Sequence, residues 1–401
     1  MARDNLRKKR IAIVLPDFST GGMPRVASNL IKGLLSGYSV DLILLNTDGP
    51  IRFNTFGVRV IRISHTGRSA IGKVFNFITR FISLRSLIRE NDYDVVIGYG
   101  VTVGTLVLAA HVKTRVIIQQ HNVMSIENNQ WGMWGKVYNY CVKHYYRRAY
   151  RIVAISSLIA LDLEDNYYLR DNVEIIPNPY DLDFIKNQSR SEDVRQELAS
   201  WMGQKCVICV GRFTPVKNQV RLVSMFKDVV SELSESRLLL VGEGPTEKLI
   251  IEKINELHLN KFVRVIGYAD NPYSLMSKAA VLALPSLNEG FPNVLVEALA
   301  SGTRIVADDC PSGPRDVFQV VLGRDNIGGT KICRMGTLGY LTPAMRRHDP
   351  KSNILDKAEA CFCEAIKMAL SDGSSEINEG DLKGLPGLDF KKITDRFVKF
   401  F

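Results

Sequence analysis

The chain has 401 residues, of which 46% are hydrophobic and 23% are charged. This composition is typical of a globular protein with two or three domains and excludes a disordered or collagen-like chain. No apolar run reaches the length of about 18 residues that a membrane-spanning helix needs. The formal net charge is +10, from 52 Lys and Arg against 42 Asp and Glu. This surplus suits a phosphate-bearing ligand, a nucleic acid or an anionic membrane surface.

The N-terminal segment predicts a buried strand rather than a secretion signal. Basic residues at 7–10 precede an apolar run, but Pro16 and Asp17 end that run before it reaches the length of a signal sequence. The seven cysteines are odd in number and scattered along the chain. Cys206 and Cys209 have a C-x-x-C spacing, but their apolar setting is typical of a core strand. We therefore expect free core thiols and a reducing compartment.

Short apolar segments alternate with segments of helical periodicity along the chain, which predicts parallel sheets covered by helices. In the first half, strands are expected at 11–16, 40–45, 58–63, 94–99, 115–120 and 151–156, with a helix at 24–35. In the second half, strands are expected at 207–211, 238–241, 263–266, 281–284 and 304–307, and helices at 218–233, 246–258 and 293–301. The fold class is therefore α/β, with two Rossmann-like, doubly wound parallel-sheet domains.

Two prolines separate the two series of elements. Pro177 and Pro179 block a helix and stiffen the backbone, so we place the domain boundary just after them, at residue 185. The polar stretch 186–192 is predicted to be the linker. Ligands of open parallel sheets bind at the carboxyl ends of the strands, and the expected site is a cleft between the two domains.

The segment 289–297, Glu-Gly-Phe-Pro-Asn-Val-Leu-Val-Glu, follows a predicted strand and opens a predicted helix. Pro292 suits the first turn of that helix, where its missing N–H costs nothing. The free N–H groups at such a helix start can hold an anion such as a diphosphate. Glu289 precedes the helix and Glu297 lies within it, so two carboxylates are available to accept hydrogen bonds from sugar and ribose hydroxyls.

Three other segments follow predicted strands. Arg212 and Lys217 come after the first strand of the second half, where their charges could neutralise a diphosphate without a metal. Gly21 and Gly22 follow the first strand of the chain and permit close approach of the backbone to a ligand, although a tight turn also explains them. His121 follows the strand at 115–120, where it could donate a hydrogen bond to a sugar hydroxyl or to developing charge.

These motifs resemble those of the retaining GT-B glycosyltransferases of family 4, above all the bacterial enzymes that build lipopolysaccharide cores, O-antigens and capsules. The resemblance extends over nearly the whole chain and is firmest over 206–317 and at Gly21 and Gly22. It implies an acceptor-binding domain at 1–185, a nucleotide-sugar-binding domain at 186–385, and a C-terminal helix at 386–401 that packs back on the first domain.

The resemblance also assigns roles to single residues. Catalytic roles fall to His121 against the transferred sugar, to Arg212 and Lys217 on the diphosphate, and to Glu289 on the sugar hydroxyls. Glu297 would bind the ribose hydroxyls. Donor binding is assigned to Gly21, Gly22, Gly211, Gly244, Tyr268, Gly290, Phe291, Pro292, Asn293, Val294, Leu295 and Glu297.

Two further segments bear on the substrates. The segment 308–316 is similar to a subgroup that handles UDP-N-acetylhexosamines, but Met23, Pro24 and Arg25 stand where that subgroup has Ala-Glu-Arg, in the loop that borders donor and acceptor. The insertion at 323–337 is expected to be a flexible loop. Retaining members of the fold work without an Asp-x-Asp cation motif, so no metal and no cofactor are expected.

Two basic segments of the first domain, 70–90 and 136–148, mix apolar or aromatic residues with Lys and Arg. Such segments either lie on an anionic bilayer or pack as helices with a solvated face. The first alternative places the protein on the inner face of the cytoplasmic membrane.

The sequence thus predicts a retaining transferase. It would move an N-acetylhexosamine or hexose from a UDP-sugar to a glycan or lipid-linked saccharide in lipopolysaccharide or other surface-polysaccharide synthesis. The alternatives are a nucleotide-sugar epimerase of the same fold, which would lack the Glu-Gly-Phe-Pro-Asn helix start, and a basic nucleic-acid-binding protein, for which no recognised motif is present.

Overall fold

The chain forms two compact units, Met1–Tyr180 with Leu388–Phe401, and Asp181–Gly387. The computed structural model describes residues 7–19, 21–46, 49–63, 70–110, 113–130, 132–325, 327, 331–350, 352–372 and 377–401. The side chains of 70–77 and 129–130 are outside the described set. Parts of the insertion predicted at 323–337 also lie outside the described residues.

The first unit alternates strands and helices, as predicted. Its strands are β1 Arg10–Leu15, β2 Ser39–Leu44, β3 Arg59–Arg62, β4 Val95–Tyr99, β5 Arg115–Gln120, β6 Arg151–Ala154 and β7 Val173–Ile175. Its helices up to residue 180 are α1 Gly22–Leu34, α2 Ala70–Asn91, α3 Gly100–Ala109, α4 Met124–Gln130, α5 Gly132–Tyr145 and α6 Ser157–Tyr167. The short β7 has no long apolar run, which is why the sequence pattern missed it.

The sheet of the first unit is parallel and has the order β3-β2-β1-β4-β5-β6-β7. Ile11 of β1 is paired with Val40 of β2 on one side and with Val95 of β4 on the other. Strands β1, β2 and β4 are almost wholly buried because helices cover the sheet, which explains their continuous apolar sequences. The strand order reverses between β1 and β4, and this is the topological switch point of the unit.

The second unit repeats the plan. Its strands are β8 Cys206–Val210, β9 Arg237–Val241, β10 Val263–Ile266, β11 Val281–Leu284, β12 Arg304–Asp308, β13 Cys333–Arg334 and β14 Gly339–Thr342. Its helices are α7 Leu182–Ser189, α8 Gln196–Met202, α9 Gln219–Glu232, α10 Glu247–Glu256, α11 Pro272–Met276, α12 Asn293–Ala300, α13 Pro314–Leu322 and α14 Lys357–Ser371. The sheet order is β10-β9-β8-β11-β12-β14-β13, and its switch point lies between β8 and β11.

The last helix, α15 Phe390–Val398, belongs to the first unit. Asp389 caps it by accepting a hydrogen bond from the Lys391 N–H at 3.0 Å. Ile393 and Phe397 then join the core formed by α1 and the strands of the first sheet. The two Rossmann-like sheets, with this C-terminal helix on the first of them, confirm the predicted fold class.

The predicted linker at 186–192 is wrong for most of its length, because α7 occupies 182–189. Asp181 caps this helix by accepting from the Phe184 N–H at 3.3 Å. Leu182 and Ile185 are buried, and α7 packs against α11. A helix forms here because Asp181 caps it and because two apolar residues of its first turn are buried, although the stretch that follows is polar. In the described part of the chain, no helix has the length and hydropathy needed to cross a bilayer.

Candidate functional site

The loops after β8 and β11 meet at the carboxyl edge of the second sheet, where the strand order reverses. The Leu287 N–H, in the loop after β11, donates to the Val216 carbonyl, in the loop after β8, at 2.8 Å. This bond joins the two segments that the sequence singled out. Since ligands of doubly wound sheets bind at such switch points, the topology places the predicted donor residues where a ligand is expected.

Lys217 and Glu289 form an ion pair between these two loops. Pro215 opens a short 3-10 turn, and its last residue, Lys217, is followed by Asn218 in the left-handed conformation. The Glu289 side chain is only 9% exposed and the Lys217 side chain is 28% exposed. The sequence predicted both residues at one site but with separate partners, and it did not foresee that the ammonium group would lie on the carboxylate.

Arg212 differs from Lys217 because its side chain has no partner among the described residues. Its guanidinium is exposed, and no hydrogen bond or ion pair joins it to another described residue. Its backbone carbonyl accepts from the Gln219 side chain at 3.1 Å, which fixes the loop while leaving the charge available. The site therefore holds one cation that is neutralised internally and one that can bind an anion bidentately.

The backbones of the loops after β8 and β9 are in direct contact. The Phe213 N–H donates to the Glu243 carbonyl at 2.8 Å, and the Gly211 N–H donates to the Val241 carbonyl at 3.0 Å. A Cβ on Gly244 would lie 2.2 Å from the Phe213 carbonyl oxygen, so only glycine fits there. The packing of these two loops therefore explains the glycine at position 244 without any contact to a donor.

The helix start at 290–295 is built from buried backbone. Gly290, Phe291 and Leu295 are buried, whereas Asn293 and Val294 are half-buried at the first turn of α12. The helix predicted at 293–301 begins at the expected residue. Pro292 is the N-cap, because its ψ of 101° is extended and the helix begins at Asn293.

Neighbouring loops fix this helix start. The Ser312 hydroxyl donates to the Gly290 carbonyl at 3.0 Å, which ties the loop after β12 to the loop after β11. Glu297 is buried in α12. Tyr268, half-buried after β10, donates its backbone N–H to the Glu243 carboxylate at 3.4 Å.

In the first unit, Gly21 and Gly22 follow β1 at the corresponding switch point. Gly21 is the N-cap of α1, with a φ of 103°, and Gly22 is the first helical residue. Both are exposed, and no atom lies within 4 Å of a Cβ built on Gly21. The backbone at the start of α1 is therefore open to a ligand. Thr20, which precedes it, lies outside the described residues.

His121 follows β5 and is buried against Tyr99, the last residue of β4. The two rings stack with centroids 5.3 Å apart and an interplanar angle of 20°. Burial lowers the pKa of His121 to about 3, so the imidazole is neutral at physiological pH. Its Nε2 atom is buried and has no hydrogen-bond partner among the described residues, and the same is true of the Tyr99 hydroxyl and the Gln119 amide.

Sequence reasoning missed Tyr99. Its Cα is paired across β4 and β5 with that of Gln119, which lies two residues before His121. The signal that could have found Tyr99 is its position as the last residue of a strand next to the switch-point strand β1.

Two family models together match most of the chain. The model described as Glycosyltransferase Family 4 matches residues 20–184, and the model described as Glycosyl transferases group 1 matches residues 190–320. The chain is a glycosyltransferase of the GT-B, family 4 type. The predicted resemblance to GT-B glycosyltransferases of family 4 is therefore confirmed.

Named relatives agree with this assignment. An uncharacterized glycosyltransferase of Methanocaldococcus jannaschii is 25% identical over 65% of this chain and 66% of its own length. The N-acetylgalactosamine-N,N'-diacetylbacillosaminyl-diphospho-undecaprenol 4-alpha-N-acetylgalactosaminyltransferase of Campylobacter jejuni is 27% identical over 80% of this chain and 85% of its own. Anabaena HepE, solved in complex with UDP and glucose, superposes with a TM-score of 0.71 at 16% identity over 98% of both chains, which supports the fold.

The segment 308–316 of the glycosyltransferase contains three acidic residues, and the first two, Asp308 and Asp309, lie in different settings. Asp309 forms a bidentate ion pair with Arg315, with an Nε–Oδ1 distance of 3.1 Å. Asp308 is fully buried at the end of β12, and its Oδ1 accepts from the Met345 N–H at 2.9 Å. Burial raises the pKa of Asp308 to about 8, so its carboxyl group is largely protonated at neutral pH.

One group of potential metal ligands occurs in the described part of the glycosyltransferase, namely His348, Asp356 and Glu359. Glu359 is already held by the buried guanidinium of Arg221, with an Nε–Oε1 distance of 2.7 Å. Asp356 caps α14 and lies 2.5 Å from the His348 ring. A resident guanidinium repels a cation, so this cluster does not fit a metal site.

The two basic segments of the first unit differ in structure. In α2, Arg80 donates to the Asn46 side chain at 2.7 Å and Arg85 donates to the Ala110 carbonyl at 2.9 Å, so these two cations are used within the protein. The side chains of Ile71, Lys73, Val74 and Phe75 in the predicted basic segment lie outside the described set, as does Arg68, which precedes it. In α5 and the residues that follow it, Lys136, Lys143, Arg147 and Arg148 are exposed.

Proposed function

We propose that this glycosyltransferase transfers an N-acetylhexosamine or hexose from a UDP-sugar to a glycan or lipid-linked saccharide, with retention of anomeric configuration, in bacterial surface-polysaccharide or lipopolysaccharide assembly. The observation that carries the proposal is the meeting of Arg212, Lys217 and Glu289 on hydrogen-bonded loops at the switch point of the second sheet. Relatives named as transferases to diphospho-undecaprenol saccharides, and neighbours solved with UDP, support the donor and acceptor classes.

Charge placement supports a diphosphate at this site. Arg212 presents a guanidinium that has no partner among the described residues, and the N–H groups at the start of α12 add partial positive charge. Both would stabilise the negative charge that develops on the departing nucleotide diphosphate, which is the main electrostatic demand of the reaction. These groups are protein-borne, so the proposed reaction needs neither a metal nor another cofactor.

The ion pair between Lys217 and Glu289 supports a role for the carboxylate in sugar recognition. A carboxylate neutralised by an ammonium group keeps free lone pairs, and these accept hydrogen bonds from sugar hydroxyls. Glu297, buried further along α12, is proposed to bind the ribose hydroxyls, with Tyr268 at the base.

In the first unit, the neutral imidazole of His121 is proposed to contact the transferred sugar as a hydrogen-bonding group rather than as a cation. Gly21 and Gly22 are proposed to let the start of α1 approach the donor phosphate. The first unit would also bind the acceptor. An acceptor carried on a lipid diphosphate is reached at an anionic membrane surface. We therefore place the enzyme peripherally on the inner face of the cytoplasmic membrane. No nucleic acid partner is proposed.

The test is donor binding by the purified protein. Thermal stabilisation and slow nucleotide release would be measured with UDP-, GDP- and ADP-sugars in the presence of EDTA. We expect one UDP-sugar to stabilise the protein and to be hydrolysed slowly, with both effects lost in Arg212→Ala and Glu289→Ala. Lys248→Ala, which removes an exposed lysine of the same unit, is the matched control and is expected to behave as wild type.

Product analysis tests the finer claims. The anomeric proton coupling of the transferred sugar is expected to match that of the donor, as retention requires. Inversion would contradict the retaining mechanism, and loss of activity with EDTA would contradict metal independence. Conversion of the UDP-sugar to its epimer without transfer would favour the epimerase. If no nucleotide sugar stabilised the protein, the donor site would be overturned and nucleic acid binding would be the favoured alternative.

A further inference from the structure

Helix α5 is firmly held on its inner side. Gly135 is buried, and a Cβ there would lie 1.7 Å from the Asn128 carbonyl oxygen, so the backbones of α4 and α5 are in contact. Val142, two turns further on, is fully buried. Asn139 accepts hydrogen bonds at 2.7 Å from both the Asn128 amide and the Tyr167 hydroxyl. The orientation of the helix is therefore fixed by backbone packing and by two side-chain hydrogen bonds.

The opposite side of α5 is apolar and exposed. We call it the outer face of α5, and it consists of Met133, Trp134, Val137 and Tyr140. Their exposed fractions are 81% for Met133, 52% for Trp134, 46% for Val137 and 61% for Tyr140. A helix of a globular protein normally turns its apolar residues inward. A group of large apolar side chains that are exposed side by side marks an interaction surface.

Along the chain, the charged residues of α5 and of the segments next to it have a single sign. No Asp or Glu occurs between Glu127 and Asp162, whereas five basic residues do, namely Lys136, Lys143, Arg147, Arg148 and Arg151. The whole first unit has 27 Lys and Arg against 15 Asp and Glu. The second unit has 25 against 27, so the net positive charge of the chain resides entirely in the first unit.

We propose that the outer face of α5 docks on an anionic phospholipid bilayer, with its apolar side chains among the lipid head groups and its basic residues on lipid phosphates. The 14-residue helix is about 21 Å long, shorter than the hydrocarbon core of a bilayer, and its inner side is occupied by protein. It can therefore lie on the membrane but not cross it. This docking complements the proposed function, because it would bring the acceptor-binding unit to a lipid-linked acceptor.

The composition favours a lipid surface over a protein partner. Interfacial helices combine Trp and aliphatic side chains with flanking Lys and Arg, which bury their aliphatic stems while their charges reach the phosphates. Lys136 and Lys143 lie two turns apart along α5 and are both exposed beside the outer face. Centres of protein interfaces are instead depleted in Lys.

The experiment is co-sedimentation of the full chain with vesicles of phosphatidylglycerol and phosphatidylethanolamine, compared with vesicles of phosphatidylcholine. Wild type is expected to bind the anionic vesicles, with a blue shift of Trp fluorescence that Trp134→Phe diminishes. The triple variant Met133→Ser, Val137→Ser, Tyr140→Ser is expected to reduce vesicle partitioning at least about tenfold. The variant Lys136→Gln, Lys143→Gln is expected to weaken binding and to reduce its salt dependence.

A matched control removes exposed apolar residues from the other unit. Leu249→Ser, Ile251→Ser, Ile354→Ser replaces three such residues and is expected to bind vesicles as wild type does. Equal partitioning of the triple variant and wild type would overturn the proposal, as would absence of wild-type binding to anionic vesicles. A concentration-dependent dimer that the triple variant abolishes, without vesicle binding, would overturn it in favour of a second copy of the chain.

Failure of this docking and failure of the proposed function are distinguishable. Donor stabilisation by a UDP-sugar is measured without lipid, and the triple variant is expected to retain it. Vesicle binding without donor stabilisation would leave the docking intact and contradict the donor site. Donor stabilisation without vesicle binding would leave the donor site intact and contradict the docking.

Discussion

The imidazole of His121 stacks on the phenol ring of Tyr99, at a centroid distance of 5.3 Å and an interplanar angle of 20°. Tyr99 ends β4, which lies beside the switch-point strand β1, and His121 directly follows the next strand of the sheet, β5. Because the stack excludes water and supplies no carboxylate, the protonated form of His121 is disfavoured, and burial lowers its pKa from 6.5 to about 3. A neutral imidazole beside a sugar donates or accepts a hydrogen bond without adding charge.

The first prediction concerns stability in acid. Between pH 6.5 and about 3, the unfolded chain binds a proton at His121 that the folded chain does not bind. The free energy of unfolding should therefore fall by up to about 1.4 kcal/mol per pH unit as the pH decreases through this range. His121→Asn should flatten the slope, measured by urea unfolding at several pH values. His258→Asn, at an exposed position with a φ of 55° that Asn tolerates, should keep the wild-type slope. Parallel slopes for His121→Asn and wild type would contradict the buried neutral imidazole.

The sequence identified the loops that carry the candidate site but not the contacts within them. Residues after apolar strands could be singled out because parallel strands expose their carboxyl ends along one edge. The stack of His121 on Tyr99 depends on the register of β4 and β5, and the ion pair of Lys217 with Glu289 joins residues 72 positions apart. Neither relationship leaves a local pattern. A boundary such as the start of α7 depends on capping geometry, which composition describes poorly.

The second prediction concerns the ion pair of Lys217 and Glu289. Lys217→Met leaves a carboxylate that is 9% exposed without its partner, and should lower the free energy of unfolding by about 1–2 kcal/mol, less than for a fully buried pair because Lys217 is partly solvated. Adding Glu289→Gln should restore part of this loss, because the uncompensated charge is removed. Urea unfolding of wild type, both single variants and the double variant gives the coupling energy. Strictly additive effects would show that the pair contributes nothing.

The third prediction separates backbone conformation from backbone contact at two glycines. Gly244 has a φ of 156° and Gly211 a φ of 157°, so alanine is similarly strained at both. A Cβ on Gly244 would lie 2.2 Å from the Phe213 carbonyl oxygen, whereas a Cβ on Gly211 would meet no atom within 4 Å. Gly244→Ala should therefore lose at least about 2 kcal/mol more of unfolding free energy than Gly211→Ala. Equal losses in thermal or urea unfolding would mean that the loops after β8 and β9 can separate without cost.

The fourth prediction concerns the opposite end of the pH range, where Asp308 titrates. Burial raises the pKa of this carboxyl from 3.8 to about 8, so the folded chain holds a proton that the unfolded chain releases. The contribution of Asp308 to stability is complete below pH 3.8 and should be lost by up to about 1.4 kcal/mol per pH unit as the pH rises towards 8. Asp308→Asn mimics the protonated carboxyl and keeps an oxygen that can accept from the Met345 N–H.

The melting temperature of Asp308→Asn relative to wild type should therefore increase from pH 5 to about pH 8. Asp270→Asn, which changes an exposed aspartate of the same unit, should show no such trend. A constant difference between Asp308→Asn and wild type would mean that Asp308 is ionised in the folded protein. An ionised Asp308 would in turn require a partner for its Oδ2 atom, which has none among the described residues.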